Sequence, residues 1–182
     1  MKHWILAALL ATAAQADETP HYTADGKMEM PADYRQWVFL TSSIDLAYQA
    51  GDPGSMHMLD NVFVNPAAYR EFLATGHWPD KTIFIKENRT AESAGTLSKG
   101  GRFQTGILSA EIHVRDDAHS PAGWAFYGSD DGKKPGALFA AGASCYSCHQ
   151  AHGTVDTTFV QFYPTLIDTA KAKNTWHDDM AK

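Results

Sequence analysis

Cys145-Tyr146-Ser147-Cys148-His149 holds the chain's two cysteines and sets a histidine directly after the second. This is the C-x-x-C-H pattern of covalent haem attachment. Two thiols one turn apart add to the two vinyl groups on one porphyrin edge, and the adjacent imidazole then reaches the iron as its proximal nitrogen ligand. Cys145 and Cys148 are therefore read as the attachment points of one haem c, and His149 as the iron ligand. The alternatives are a Cys145–Cys148 disulfide, redox-active or structural, and half of a zinc site. A zinc site wants further Cys or a paired His at ligand spacing, and a thioredoxin-like dithiol follows a strand in a βαβ pattern. The sequence supplies neither.

Where the motif falls decides the architecture. Small electron-transfer cytochromes usually carry it near the N-terminus of a largely helical chain, with a Met ligand downstream. Here several strand-like stretches precede it and only residues 150–182 follow. The expected fold is α+β, mainly antiparallel β-sheet with a few helices, and the haem packed between the sheet and the C-terminal helical segment.

At the other end, Lys2 is followed by the apolar run Trp4-Ile5-Leu6-Ala7-Ala8-Leu9-Leu10-Ala11, and Ala14-Gln15-Ala16 precedes Asp17-Glu18. Residues 1–16 read as a secretory signal peptide cut after Ala16. The run falls far short of the roughly 20 residues that span a bilayer. Export together with a haem of this type implies the periplasm. Residues 17–182 form a single domain by length. The full chain has a net charge of -6 and no Lys/Arg run, which gives no electrostatic footprint for nucleic acid.

Residues 17–31 are polar and aperiodic and are expected to form an extended arm. Residues 34–40 begin the ordered body as a strand or a short helix entering one. Gly51-Asp52-Pro53-Gly54 is a turn. After a short β run at 61–64, Asn65 and Pro66 read as N-cap and first helical residue, Ala68, Phe72 and Leu73 as one apolar face, and Gly76 as the stop. Residues 81–87 read as a strand, 89–101 as an exposed hairpin loop, 103–114 as a strand with Gly106 marking a bulge or close approach, and 124–127 as another strand. Residues 130–136 are a turn. Phe159, Phe162 and Tyr163 stand at helical spacing, and residues from 171 onward read as a polar tail.

Several of these stretches carry a resemblance: Tyr34-Arg35-Gln36-Trp37-Val38, Val62-Phe63-Val64-Asn65-Pro66 with Tyr69, the strand from Thr82 through Glu87, Gly123-Trp124-Ala125-Phe126-Tyr127, and the haem motif followed by Phe162-Tyr163-Pro164. Together the chain resembles the cytochrome P-460 family, which includes the related β-type cytochromes c-prime. The resemblance implies a periplasmic, mainly β, homodimeric monohaem protein with five-coordinate iron. It also implies action on hydroxylamine and nitric oxide, or nitric oxide binding. In family members that oxidise hydroxylamine a lysine is joined to a haem meso carbon, and the matching position is Lys86.

The residues themselves single out Lys86 as well. Thr82, Phe84 and Lys86 alternate with Ile83 and Ile85, so both faces look apolar and Lys86 points inward, where desolvation favours a neutral, nucleophilic amine. The alternative is a strand-end lysine that snorkels to solvent. Sixth-ligand candidates are Met28, Met30, Met56, Met58, His57, His77, His113, His119, His152 and His177. A protein ligand there makes an electron carrier. Apolar cover, for which Phe84, Phe126 and Phe139 are candidates, leaves the site open to a small ligand. Hydroxylamine oxidation also needs a proton acceptor. Glu111 and Asp116 are candidates, or else exposed strand-end charges. Where some family enzymes place a distal polar residue, this chain has Leu138-Phe139-Ala140-Ala141-Gly142. The expectation is a cytochrome that oxidises hydroxylamine or related nitrogen oxides and hands electrons to a redox partner cytochrome. A nitric oxide-binding cytochrome and a simple electron carrier are the alternatives.

Overall fold

Among the described residues, six strands follow one another in an antiparallel meander, each hydrogen-bonded to the next in sequence. They are β1 (Val38–Ile44), β2 (His57–Val64), β3 (Ile83–Glu92), β4 (Phe103–Arg115), β5 (Trp124–Ser129) and β6 (Ala137–Leu138). Among the described residues three α-helices accompany them: α1 (Pro66–Thr75), α2 (Ser144–His152) and α3 (Ile167–Ala172). The α+β architecture dominated by antiparallel sheet is thus the observed one. This computed structural model describes residues 18–46, 56–93, 99–120 and 123–180. The expected signal peptide and the turn at Gly51-Asp52-Pro53-Gly54 lie outside the described residues. Among the described residues, no helix is long and apolar enough to cross a membrane.

The alternation in β3 divides the core in two. Ile83 and Ile85 pack on one face with Met28, Trp37, Ile112, Val114 and Tyr127. Phe84 packs on the other with Val64, Phe72, Trp78, Tyr163 and Leu166. A sheet covered on both sides needs apolar residues at successive positions, which is why 83–85 read as an unbroken apolar run. Each such side chain buried contributes roughly 1.5–3 kcal/mol.

Helix α1 starts and stops as its sequence dictates, with Pro66 in the first turn and Gly76 closing it at φ 82. A Cβ on Gly76 would lie 2.6 Å from Lys173 Cβ, so the glycine also admits the C-terminal segment. Asn65 occupies the N-cap position but is used elsewhere. Its Oδ1 accepts from Ile83 N–H at 2.9 Å and its Nδ2 donates to Lys81 O at 3.2 Å, stitching the helix start to β3. Glu18 Oε2 accepts the Ala67 N–H instead. Ala68 and Phe72, four apart, face the core, whereas Leu73 is exposed, contrary to expectation.

Other expectations are corrected by packing. The arm, described from residue 18, turns back on itself with Glu29 N–H donating to His21 O at 2.9 Å, and it docks with Met28 N–H donating to Gly136 O at 3.0 Å and the Met28 side chain fully buried. Strand β3 runs on through Glu92, into the stretch expected as loop, because Arg89 and Thr90 find partners on β4: Arg89 donates to Thr105 O and Thr90 pairs with Thr105 Oγ1. The register shifts there, as Gly106 foretold. Phe159, Phe162 and Tyr163 lie around a short 3-10 turn rather than on a helix, and the helix follows at α3. The supposed polar tail is anchored by buried Thr175 and by Trp176 packed on the core.

Candidate functional site

Helix α2 presents Cys145, Cys148 and His149 within little more than one turn, against the Phe84 face of the sheet. The cysteines are free thiols, each partly buried, and burial pushes the Cys145 thiol up from its ordinary value. His149 Nδ1 donates to Thr157 O at 2.9 Å. That bond fixes the ring and its tautomer and leaves Nε2 as the nitrogen able to bind a metal. Burial holds the His149 imidazole below its usual range, against the opposing pull of the Thr157 bond, so the ring is neutral, as a ligand must be. Two unlinked thiols one turn apart and a neutral imidazole with one oriented free nitrogen fit covalent haem.

The imidazole packs among rings. Phe126 meets it edge-on at 4.7 Å between centroids, Phe159 lies at 4.1 Å, and His113 approaches edge-on at 4.7 Å. His113 stacks on Phe126 at 4.1 Å, and burial drives it well below the imidazole range. Its Nε2 is shielded and makes no hydrogen bond among the described residues. His113 thus belongs to the aromatic cluster packed around His149.

Strand pairing carries the same face along to Lys86, which sits opposite Glu111 on β4 just as Phe84 sits opposite His113. Lys86 Nζ donates to Glu111 Oε1 at 3.2 Å and lies 4.0 Å from Asp60 Oδ2. Asn88 Nδ2 donates to Ser109 Oγ at 2.8 Å and to Glu111 Oε1 at 3.3 Å. Asp60 is buried, and its Oδ1 makes no hydrogen bond among the described residues. Burial pushes its carboxyl above the usual carboxylate range, with Lys86 pulling the other way. Lys86 lies between the inward and the solvent-facing readings: its side chain is 31% exposed and ion-paired with Glu111.

Asp116 belongs elsewhere. It is buried and accepts from Lys81, from Tyr22 at 3.1 Å and from the Ala118 N–H at 3.1 Å, a structural anchor for the arm. Met28 is core, and His57 and His77 are held by Asp45 and Asp156. Of the three aromatic covers, Phe84 is core and Phe126 supports His149. Phe139 packs over Gly128, where a Cβ would lie 2.6 Å from the ring, beside Glu111 across the pairing of β4 with β5. A cleft of about 490 Å³ bordered by Ser109, Glu111, Gly128 and Phe139 opens there.

Sequence reasoning reached Lys86, Glu111 and the haem motif but passed over Asp60 and Thr157. Asp60 left a signal, a carboxylate inside a β-rich run. Thr157 left none, because its contribution is a main-chain carbonyl.

A family model described as Cytochrome P460 matches residues 31–160, which include Lys86, Glu111, Cys145, Cys148 and His149. No curated protein matches the chain. With that match spanning most of the sequence and both halves of the site, the chain belongs to the cytochrome P460 family and is a haem-binding cytochrome.

Proposed function

We propose that this protein carries one haem c on Cys145 and Cys148, with His149 as proximal iron ligand, and oxidises hydroxylamine or related nitrogen oxides at an open iron site. The observation that carries the reading is that Lys86 and its carboxylate partners share one face of the sheet with His149. Haem supplies the one-electron redox chemistry. The chain's own residues must then orient the substrate and take up the protons released as electrons leave. Glu111 accepts a hydrogen bond from Lys86, and Asp60 keeps a second carboxyl close by with a raised affinity for protons. The pair thus offers a proton acceptor beside the amine that the family's enzymes use to modify their haem.

The reading includes export to the periplasm after removal of residues 1–16, a homodimer, and a redox partner cytochrome as electron acceptor. It rests there on the sequence and the family resemblance. A nitric oxide-binding cytochrome is the second reading. It is favoured by the apolar Leu138-Phe139-Ala140 stretch, with Phe139 packed over Gly128 beside Glu111.

The ferrous optical spectrum of the purified holoprotein tests the assignment. A strongly red-shifted, high-spin Soret band supports the enzyme with Lys86 joined to the ring. An ordinary high-spin c-type spectrum moves the assignment to the gas binder. A low-spin spectrum moves it to the electron carrier.

A further inference from the structure

We propose that Asp156 is a positioning residue that sets the hydrogen bond on the proximal imidazole, an inference resting on the reading of His149 as iron ligand. After α2 the chain folds back tightly at Gly153, where a Cβ would lie 2.4 Å from Thr157 C and 2.7 Å from His149 O. Val155 and Thr158 then close a turn on each other through Thr158 N–H to Val155 O at 2.7 Å. The two residues inside that turn, Asp156 and Thr157, have φ of 46 and 58. Asp tolerates the left-handed region, but a β-branched threonine is a true outlier there. Such a conformation persists only where its surroundings impose it. Its result is that the Thr157 carbonyl points at His149 Nδ1.

The Asp156 carboxylate supplies the side-chain contacts made from inside the turn. Oδ2 accepts the Trp78 N–H at 2.9 Å and Oδ1 accepts from His77 Nδ1 at 3.0 Å. Trp78 is itself fixed in the core, with Nε1 donating to Thr158 Oγ1 at 2.9 Å. The turn is thus clamped to the segment joining α1 to β3. A partner on the second nitrogen of a metal-binding histidine raises its basicity and tunes the metal. Asp156 therefore governs, at one remove, how strongly His149 donates to iron.

The test uses Asp156→Gly in the intact holoprotein, because glycine adopts the positive φ freely and the change removes the carboxylate without adding strain. The ferrous iron–histidine stretching band, read by resonance Raman, should fall in frequency. The reduction potential should shift upward, at unchanged covalent haem content. Asp156→Asn keeps an oxygen for the Trp78 N–H and tolerates the turn, and should return both readouts close to wild type. Wild-type values in Asp156→Gly overturn the proposal. If Asp156→Gly does not fold, His77→Ala, which loses one of the two anchors at an exposed position, should move both readouts the same way by less, and unchanged values overturn the proposal. The absence of an iron–histidine band in a wild type whose ferrous spectrum is high-spin would instead reject His149 as ligand, a separate failure.

Discussion

Lys86 Nζ donates to Glu111 Oε1 at 3.2 Å across neighbouring strands, on the face of the sheet that receives His149. The amine is therefore held between carboxylates, since Asp60 Oδ2 stands 4.0 Å away. Glu111 thus lies within hydrogen-bonding reach of the amine. In the proposed reaction the same carboxylates take protons from the substrate.

Glu111→Gln keeps the shape and an acceptor oxygen for Lys86 but removes the proton-accepting carboxylate. Hydroxylamine oxidation should fall by about 10²-fold or more, the usual contribution of a positioned base. Nitric oxide binding, which transfers no proton, should persist. Steady-state assays with an artificial electron acceptor, paired with nitric oxide titration, check both halves.

Replacing both cysteines, Cys145→Ala with Cys148→Ala, removes the thioethers. Haem staining of denatured protein should fall to what a Lys86 bond alone retains, and to nothing once Lys86→Arg is added. Full staining in that triple variant would reject the attachment chemistry. His149→Ala should retain covalent haem while altering the iron spectrum.

On the opposite face, Glu87 is buried and accepts from Tyr34, from Arg35 at 2.7 Å and from Arg89 at 2.8 Å. Burial alone would raise its carboxyl, but the hydrogen bonds from Arg89 and Tyr34 outweigh it and hold the group below its ordinary 4.5. A depressed folded-state value means stability present above pH 4.5 and lost as pH falls through the folded value. Urea midpoints should therefore drop on acidification below that point. The drop should be shallower in Glu87→Gln, which starts less stable at neutral pH.

Local signals carried much of this molecule into the sequence. Asn65, Pro66 and Gly76 bounded α1, and the alternation of Ile83, Phe84 and Ile85 announced a strand covered on both faces. The Cys145–His149 motif marked the site because covalent haem chemistry demands that spacing. What stayed hidden depends on the sheet pairing. Lys86 meets Glu111 only through the register of β3 with β4, and Asp60 joins them only through β2. Leu73 reads as core on a helical wheel, yet α1 buries only the narrower stripe at Ala68 and Phe72. The carbonyl of Thr157 acts through main-chain geometry, on which side-chain identity is silent.

The most direct test is multiple-turnover hydroxylamine oxidation by wild type and Lys86→Arg holoproteins, each with its ferrous spectrum recorded. Arginine keeps the charge and the pairing with Glu111, but its guanidinium is not deprotonated near neutral pH and cannot bond the ring. Wild type should turn over, and Lys86→Arg should fold, show an ordinary c-type spectrum and lose at least about tenfold in rate, on the order of 1.4 kcal/mol on the barrier. Equal spectra and equal rates, or no turnover by the wild type, would contradict the account.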